Sequence, residues 1–216
     1  MSVAIIPFDL VDNLIVLRVQ VNGSKPLTFI LDNGAGICVI DPVVAKSMNL
    51  KTGEADQTTG AGAGKVDVIY VHDIGFELPG AKLTVPKVGL IDLSGLRGSL
   101  GITIDGLLGH DFFERYVVEV DYDARVLRLF DPETYIYSGS GESIPVVIRK
   151  NHIWFKAKIK VAGQTEVEHE YFVDSGSSDS INDDLVAKAA SKKVDVKGGV
   201  GLGQRASRGS KQIEER

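Results

Sequence analysis

The sequence predicts a mainly β protein with few, short helices, built from two related units of unequal length. Three observations carry this expectation: apolar residues alternate with period two, turn signals separate the alternating runs, and one stretch of the chain returns later in the same order. The 216 residues are 44% hydrophobic and 25% charged, which is enough apolar material for a real core in one large domain or two small ones. A net charge of −5, with basic residues scattered except near the end, gives no basis for a nucleic-acid partner. The single cysteine, Cys38, excludes an intramolecular disulfide framework and is expected to be a buried core residue. No apolar run approaches the ~18–20 residues that span a bilayer, so no membrane association is expected. The opening MSVAIIPFDLVDN lacks a basic region and carries Asp9 and Asp12, so it is not read as an export signal. The chain is expected to be soluble, with its compartment open.

In chain order, NLIVLRVQV from Asn13 to Val21 alternates as a strand, and Asn22-Gly23 follows as a tight hairpin turn. Leu27–Leu31 is the return strand, running into Asp32-Asn33-Gly34-Ala35-Gly36. Asp41-Pro42 then opens a short helix through Met48, with Asp41 at its N-cap and proline in its first turn. Gly60–Gly64, GAGAG, precedes an alternating strand at Val66–Val71. Further strands are expected at Lys82–Ile91, Tyr116–Val120 and Val126–Phe130, with a second short helix near His110–Arg115.

IPFDLVDNLIVLRVQVNG from Ile6 returns as IPVVIRKNHIWFKAKIKVAG from Ile144. The offset is 138 at Asn13/Asn151, 140 at Gly23/Gly163 and 142 at Asp32/Asp174, so the insertions fall at turns. FILDNGAG is matched by YFVDSGSS, Val43-Val44-Ala45 by Leu185-Val186-Ala187, and Gly60–Gly64 by Gly199–Gly203. Five matches in one order indicate duplication. The expected division is a first unit at 1–138, a partial second unit at 139–204, and a polar tail at 205–216 expected to be disordered. An incomplete second unit should leave edge strands and apolar positions uncovered.

An apolar strand entering Asp-x-Gly holds a carboxylate at the mouth of a tight turn, and glycine lets a partner approach the backbone closely. Two such loops related by a pseudo-two-fold axis would set Asp32 beside Asp174. At about 4 Å and an effective dielectric near 20, two charges repel by ~4 kcal/mol, or ~3 pKa units, so the pair keeps one proton. The ionised member can then take a proton from water while the other donates to a carbonyl oxygen.

Ile30-Leu31-Asp32-Asn33-Gly34-Ala35-Gly36 and Phe172-Val173-Asp174-Ser175-Gly176-Ser177 resemble the active-site loops of retropepsin- and pepsin-like aspartic peptidases. Ile104-Asp105-Gly106-Leu107-Leu108-Gly109-His110-Asp111-Phe112 resembles the segment that, in that family, crosses behind the catalytic loop and precedes a short helix. The opening IPF and the Val120-Asp121-Tyr122-Asp123 strand are similar to bacterial retropepsin-like proteins with two tandem lobes. The resemblance spans residues 3–132 and, more weakly, 143–204. It implies closed β-barrel lobes, one complete and one partial, and an aspartic endopeptidase with Asp32 and Asp174 catalytic. Asn33, Gly34, Ser175 and Gly176 would be supporting loop residues, and Leu107, Leu108 and Gly109 would back the first loop. It also implies no cofactor and an extended peptide or protein substrate under a flap at Thr58–Val71, with Gly60, Ala61, Gly62, Ala63 and Gly64 at its tip.

Two departures bear on activity. Asn33 stands where the family has Thr or Ser, and its longer, planar amide is expected to reproduce the cross-bond between loops less well. The second unit lacks a counterpart of Leu107-Leu108-Gly109, so Asp174 is expected to be less well supported. Two alternatives follow: a catalytically weak or silent peptide-binding module, or an enzyme active only as a homodimer through Asp32. Asp105 and Asp111 read as turn and helix-cap residues. His72, His110, His152 and His169 show no metal-ligand spacing, so no metal is expected.

Overall fold

The computed structural model describes residues 3–59, 65–160 and 165–178. The glycine runs at 60–64 and 199–203 and the tail at 205–216 lie outside the described residues. The protein is mainly β, as expected, with three short helices among the described residues. In order these are β1 (Ala4–Pro7), β2 (Asp9–Val11), β3 (Leu14–Val21), β4 (Leu27–Leu31), β5 (Val39–Ile40), α1 (Pro42–Ser47), β6 (Ala55–Thr59), β7 (Lys65–Leu78) and β8 (Ala81–Leu90). Then come α2 (Ser94–Leu100), β9 (Gly106–Leu108), α3 (His110–Arg115), β10 (Val117–Asp121), β11 (Val126–Phe130), β12 (Val147–Arg149), β13 (His152–Ile159) and β14 (Val167–Phe172).

Eight strands form one sheet in the order β2-β3-β4-β9-β5-β8-β7-β6, and β7 also pairs with β3, so the sheet bends back on itself. β1, β11 and β10 form a second sheet, and β12, β13 and β14 a third. β3 and β4 are buried on both faces: Ile15, Leu17, Phe29 and Leu31 point into the main core, while Leu14 and Ile30 join a smaller cluster with Leu93, Leu96, Ile104 and Leu107. A strand covered on both sides reads as a continuous apolar run, which is why LTFIL shows no polar alternation.

The register of two hairpins follows the repeat residue by residue. Val16 pairs with Ile30 in the first unit and Trp154 with Phe172 in the second, so the sequence offsets of 138 and 142 carry one pair onto the other. Both copies open on the same two-residue turn with positive φ, Asp12-Asn13 and Lys150-Asn151. Such turns match the twist of a hairpin and favour Asn. Asn13 is therefore a turn residue, not the first strand residue that alternation suggested, and Asn151 is its counterpart.

The copies differ in what covers them. β9 lies beside β4, and Ile30 and Leu31 are each 1% exposed; among the described residues β14 is an edge strand, and Phe172 and Val173 are 38% and 39% exposed. Val147 and Ile148 are also exposed.

Three features departed from the alternation pattern. β7 runs on through His72–Leu78, because its pairing with β8 continues past Asp73, whose φ of 54° lies between the pairs His72↔Lys87 and Ile74↔Val85, opposite Pro86, which has no N–H to donate. α2 was not expected from SGLRGSL; it forms because Leu96 is buried and Arg97 reaches the buried Asp41 carboxylate. Asp111 is not the cap of α3, whose N-cap is Gly109. Among the described residues no helix is long and apolar enough to cross a membrane.

Candidate active site

β4 delivers Asp32 to the site, and the segment after α2 fixes it from behind. Leu107 and Leu108 pair in parallel with Ile30 and Leu31, and the Asp32 N–H donates to the Leu108 carbonyl at 3.0 Å. His110 N–H donates to the Ala35 carbonyl at 2.9 Å and Gly109 N–H to Cys38 Sγ at 3.4 Å. Asp105 and Asp111 act across the chain instead of within their own turns. The Asp105 carboxylate accepts from Thr28 N–H at 2.8 Å and the Asp111 carboxylate from Cys38 N–H at 2.6 Å. These bonds clamp both ends of the Asp32 loop. Cys38 is fully buried, and burial pushes its thiol well up, so it is a packing residue.

The structure brings Asp32, Asn33, Gly34, Asp174, Ser175 and Gly176 together. Asp32 Oδ1 accepts from Gly34 N–H at 2.9 Å and Ala35 N–H at 3.0 Å, and Asp174 Oδ1 accepts from Gly176 N–H at 2.9 Å. Each glycine packs under the opposite acid. A Cβ on Gly34 would collide with the Asp174 carboxylate, and one on Gly176 with that of Asp32. No other residue type permits this approach.

The two loops are tied by three hydrogen bonds. Asn33 N–H donates to Ser175 Oγ at 3.1 Å, and the Ser175 hydroxyl donates to the Leu31 carbonyl at 2.9 Å. Ser175 N–H donates to Asn33 Oδ1 at 2.7 Å. Asn33 therefore does cross-bond, contrary to the expectation from its shape. Its amide oxygen serves as the acceptor that a hydroxyl would provide, and the side chain is nearly buried in doing so. The hydroxyl on the other loop carries the remaining two contacts.

Burial and, after it, the neighbouring Asp174 carboxylate push the Asp32 carboxyl up to about 7, against the lowering effect of the Gly34 and Ala35 amides. Asp174 is also raised by burial, but the Gly176 amide, the hydrogen bond from Asp32 and the charge of His152 pull it the other way. Both acids are therefore raised, by burial first, and two carboxyls on loops packed this closely favour holding one proton between them. Lacking a β9 counterpart has not displaced Asp174. Its loop is held by the bonds to Asn33 and Leu31 and by Val173 N–H donating to the Ile153 carbonyl at 2.9 Å.

Thr58 and Val66–Val71, expected as flap arms, lie on the paired strands β6 and β7, with Thr59 opposite Lys65. Sequence reasoning missed the clamp from Asp105 and Asp111. It also missed His152, which follows the Lys150-Asn151 turn. The repeat offered a signal for the latter, since His152 occupies the place of Leu14.

Residues 17–112 match the model of a family described as aspartyl protease. That span contains the Asp32 loop, the Leu107-Leu108-Gly109 segment and the start of α3, and over it the chain is similar to the aspartyl protease family. Among solved structures it is similar to a retropepsin-like aspartic protease from Rickettsia conorii, with 21% identity and a TM-score of 0.38 over 58% of this chain and 88% of that one. No curated protein matches the chain.

Proposed function

We propose that the protein is an aspartic endopeptidase that hydrolyses peptide bonds with water activated between Asp32 and Asp174. The observation that carries this reading is the reciprocal bonding of Asn33 and Ser175, which holds two acid loops against each other. In the proposed reaction the ionised carboxylate takes a proton from water as it attacks the scissile carbonyl carbon. The protonated carboxyl donates to the carbonyl oxygen, giving a tetrahedral diol without a metal or cofactor. The units at 1–138 and 139–204 would each supply one loop, and the hairpin of β6 and β7 would lie over an extended peptide, pairing with its main chain.

The position beside Asp32 is filled by residues 174–176 of the same chain, which favours a pair within one chain over one formed across two copies. A fluorogenic peptide library at mildly acidic pH tests the reading. Asp32→Ala and Asp174→Ala should each lower cleavage by about 10³-fold or more, and a statine-type peptide should inhibit the wild type. Full cleavage by Asp32→Ala would dispose of the proposal. Peptide binding with neither cleavage nor statine inhibition would identify a silent binding module instead.

A further inference from the structure

The two acids sit on matching loops but do not face matching neighbours. Continuing the β3–β4 register from Val16↔Ile30 brings Leu14 opposite Asp32. Continuing the β13–β14 register from Trp154↔Phe172 brings His152 opposite Asp174, one pair beyond the bond from Val173 N–H to the Ile153 carbonyl. Cross-strand partners of this kind present their side chains on one face, about 5 Å apart at Cβ. Leu14 is buried and apolar, whereas His152 is half-buried and titratable.

The imidazole is held in place. Its Nδ1 lies 2.7 Å from the Lys150 carbonyl, and a carbonyl only accepts, so Nδ1 carries a hydrogen. Its edge meets the Phe172 ring at a centroid distance of 5.9 Å. The turn that carries it leans on the first acid loop: Asn151 Nδ2 donates to the Gly36 carbonyl at 2.9 Å, and a Cβ on Gly36 would lie 3.5 Å from His152 Cε1. With Nδ1 committed, Nε2 is the ring nitrogen left to take up a proton, and a doubly protonated ring carries a positive charge. The groups around it are the Lys150 and Gly36 backbone and the Phe172 ring, and the extended register sets Asp174 opposite it.

We propose that His152 gives the acid pair a direction: by facing Asp174 it keeps that carboxylate as the ionised, water-activating member and leaves the proton on Asp32, which donates to the substrate carbonyl. His152 is a positioning residue, acting through Asp174, and the inference rests on the two acids being a working pair. A positive charge at His152 has the sign that favours the ionised form of Asp174.

The test uses the full chain with ¹³C-carboxyl-labelled aspartate, so that Asp174 is followed by NMR without relying on turnover, alongside the pH dependence of kcat/KM. His152→Leu installs the residue of the first unit and should move the Asp174 titration to higher pH. It should also lower kcat/KM on the acidic limb by about threefold or more, with KM little changed. His152→Lys keeps a positive charge there and should restore both towards wild type. An Asp174 titration that His152→Leu leaves in place, in a protein with an otherwise native spectrum, overturns the proposal. Asp32→Asn separates the two readings. If the Asp174 titration ignores Asp32→Asn, the acid pair itself fails; if it responds to Asp32→Asn but not to His152→Leu, only the role of His152 fails.

Discussion

Replacing Asp32 with asparagine should stabilise the protein at neutral pH while changing little near pH 4. The Asp32 carboxyl is raised from an ordinary 3.8 to about 7, first by burial and then by Asp174. Folding therefore favours the protonated acid. That contribution to stability is whole below pH 4, shrinks as pH rises, and is gone above pH 7. At about 1.4 kcal/mol per pH unit, the interval from 3.8 to about 7 amounts to about 4 kcal/mol. Asp32 keeps a part-exposed edge, so water screens the penalty and 4 kcal/mol is its ceiling. An asparagine copies the protonated acid: its oxygen can still accept from Gly34 and Ala35, and its NH₂ can donate towards Asp174. It carries no penalty at any pH. Urea unfolding of wild type and Asp32→Asn at pH 4, 5.5, 7 and 8 should give stability differences growing from near zero to about 2–4 kcal/mol. A difference that stays constant across this range would refute the reasoning, because it would mean that Asp32 titrates alike in the folded and unfolded chain.

Ser175→Ala should cost about 2–3 kcal/mol in urea unfolding, since it strands the Asn33 N–H and the Leu31 carbonyl in a nearly dry interface. Ser175→Thr should recover most of that loss, and an alanine variant as stable as wild type would show that the cross-bond carries no weight. Cys38 should resist thiol reagents in the native protein and react only as it unfolds, because its raised, fully buried thiol offers neither thiolate nor access. Rapid stoichiometric labelling of folded protein with a disulfide reagent would contradict this placement.

Much of the fold was legible because local chemistry and tertiary demand agree there. Asn22-Gly23 turns with positive φ at both residues, as the hairpin needs, and Asp41 caps α1 by accepting from Val43 N–H with Pro42 behind it. The repeat survived into the structure as register, so Asp32 and Asp174 were identifiable as partners from order alone. What alternation missed was set by distant contacts. β7 is fourteen residues long because β6 pairs with its first part and β8 with Ile69–Leu78, and α2 exists because Asp41 needs a cation at Arg97. Asp105 and Asp111 looked like local turn residues because nothing in their neighbourhood names Thr28 or Cys38 as donors.

The chain's own order of residues determined that two acid-bearing loops exist, that each follows an apolar strand, and that each needs a glycine beyond its acid. Periodicity and duplication are properties of neighbours along the chain and can be read there. Only the tertiary structure decided that an asparagine amide could complete the bridge to Ser175, and that one acid would face a leucine and the other a histidine. The first depends on angles and distances between segments 142 residues apart and the second on how each hairpin pairs, and no local preference encodes either.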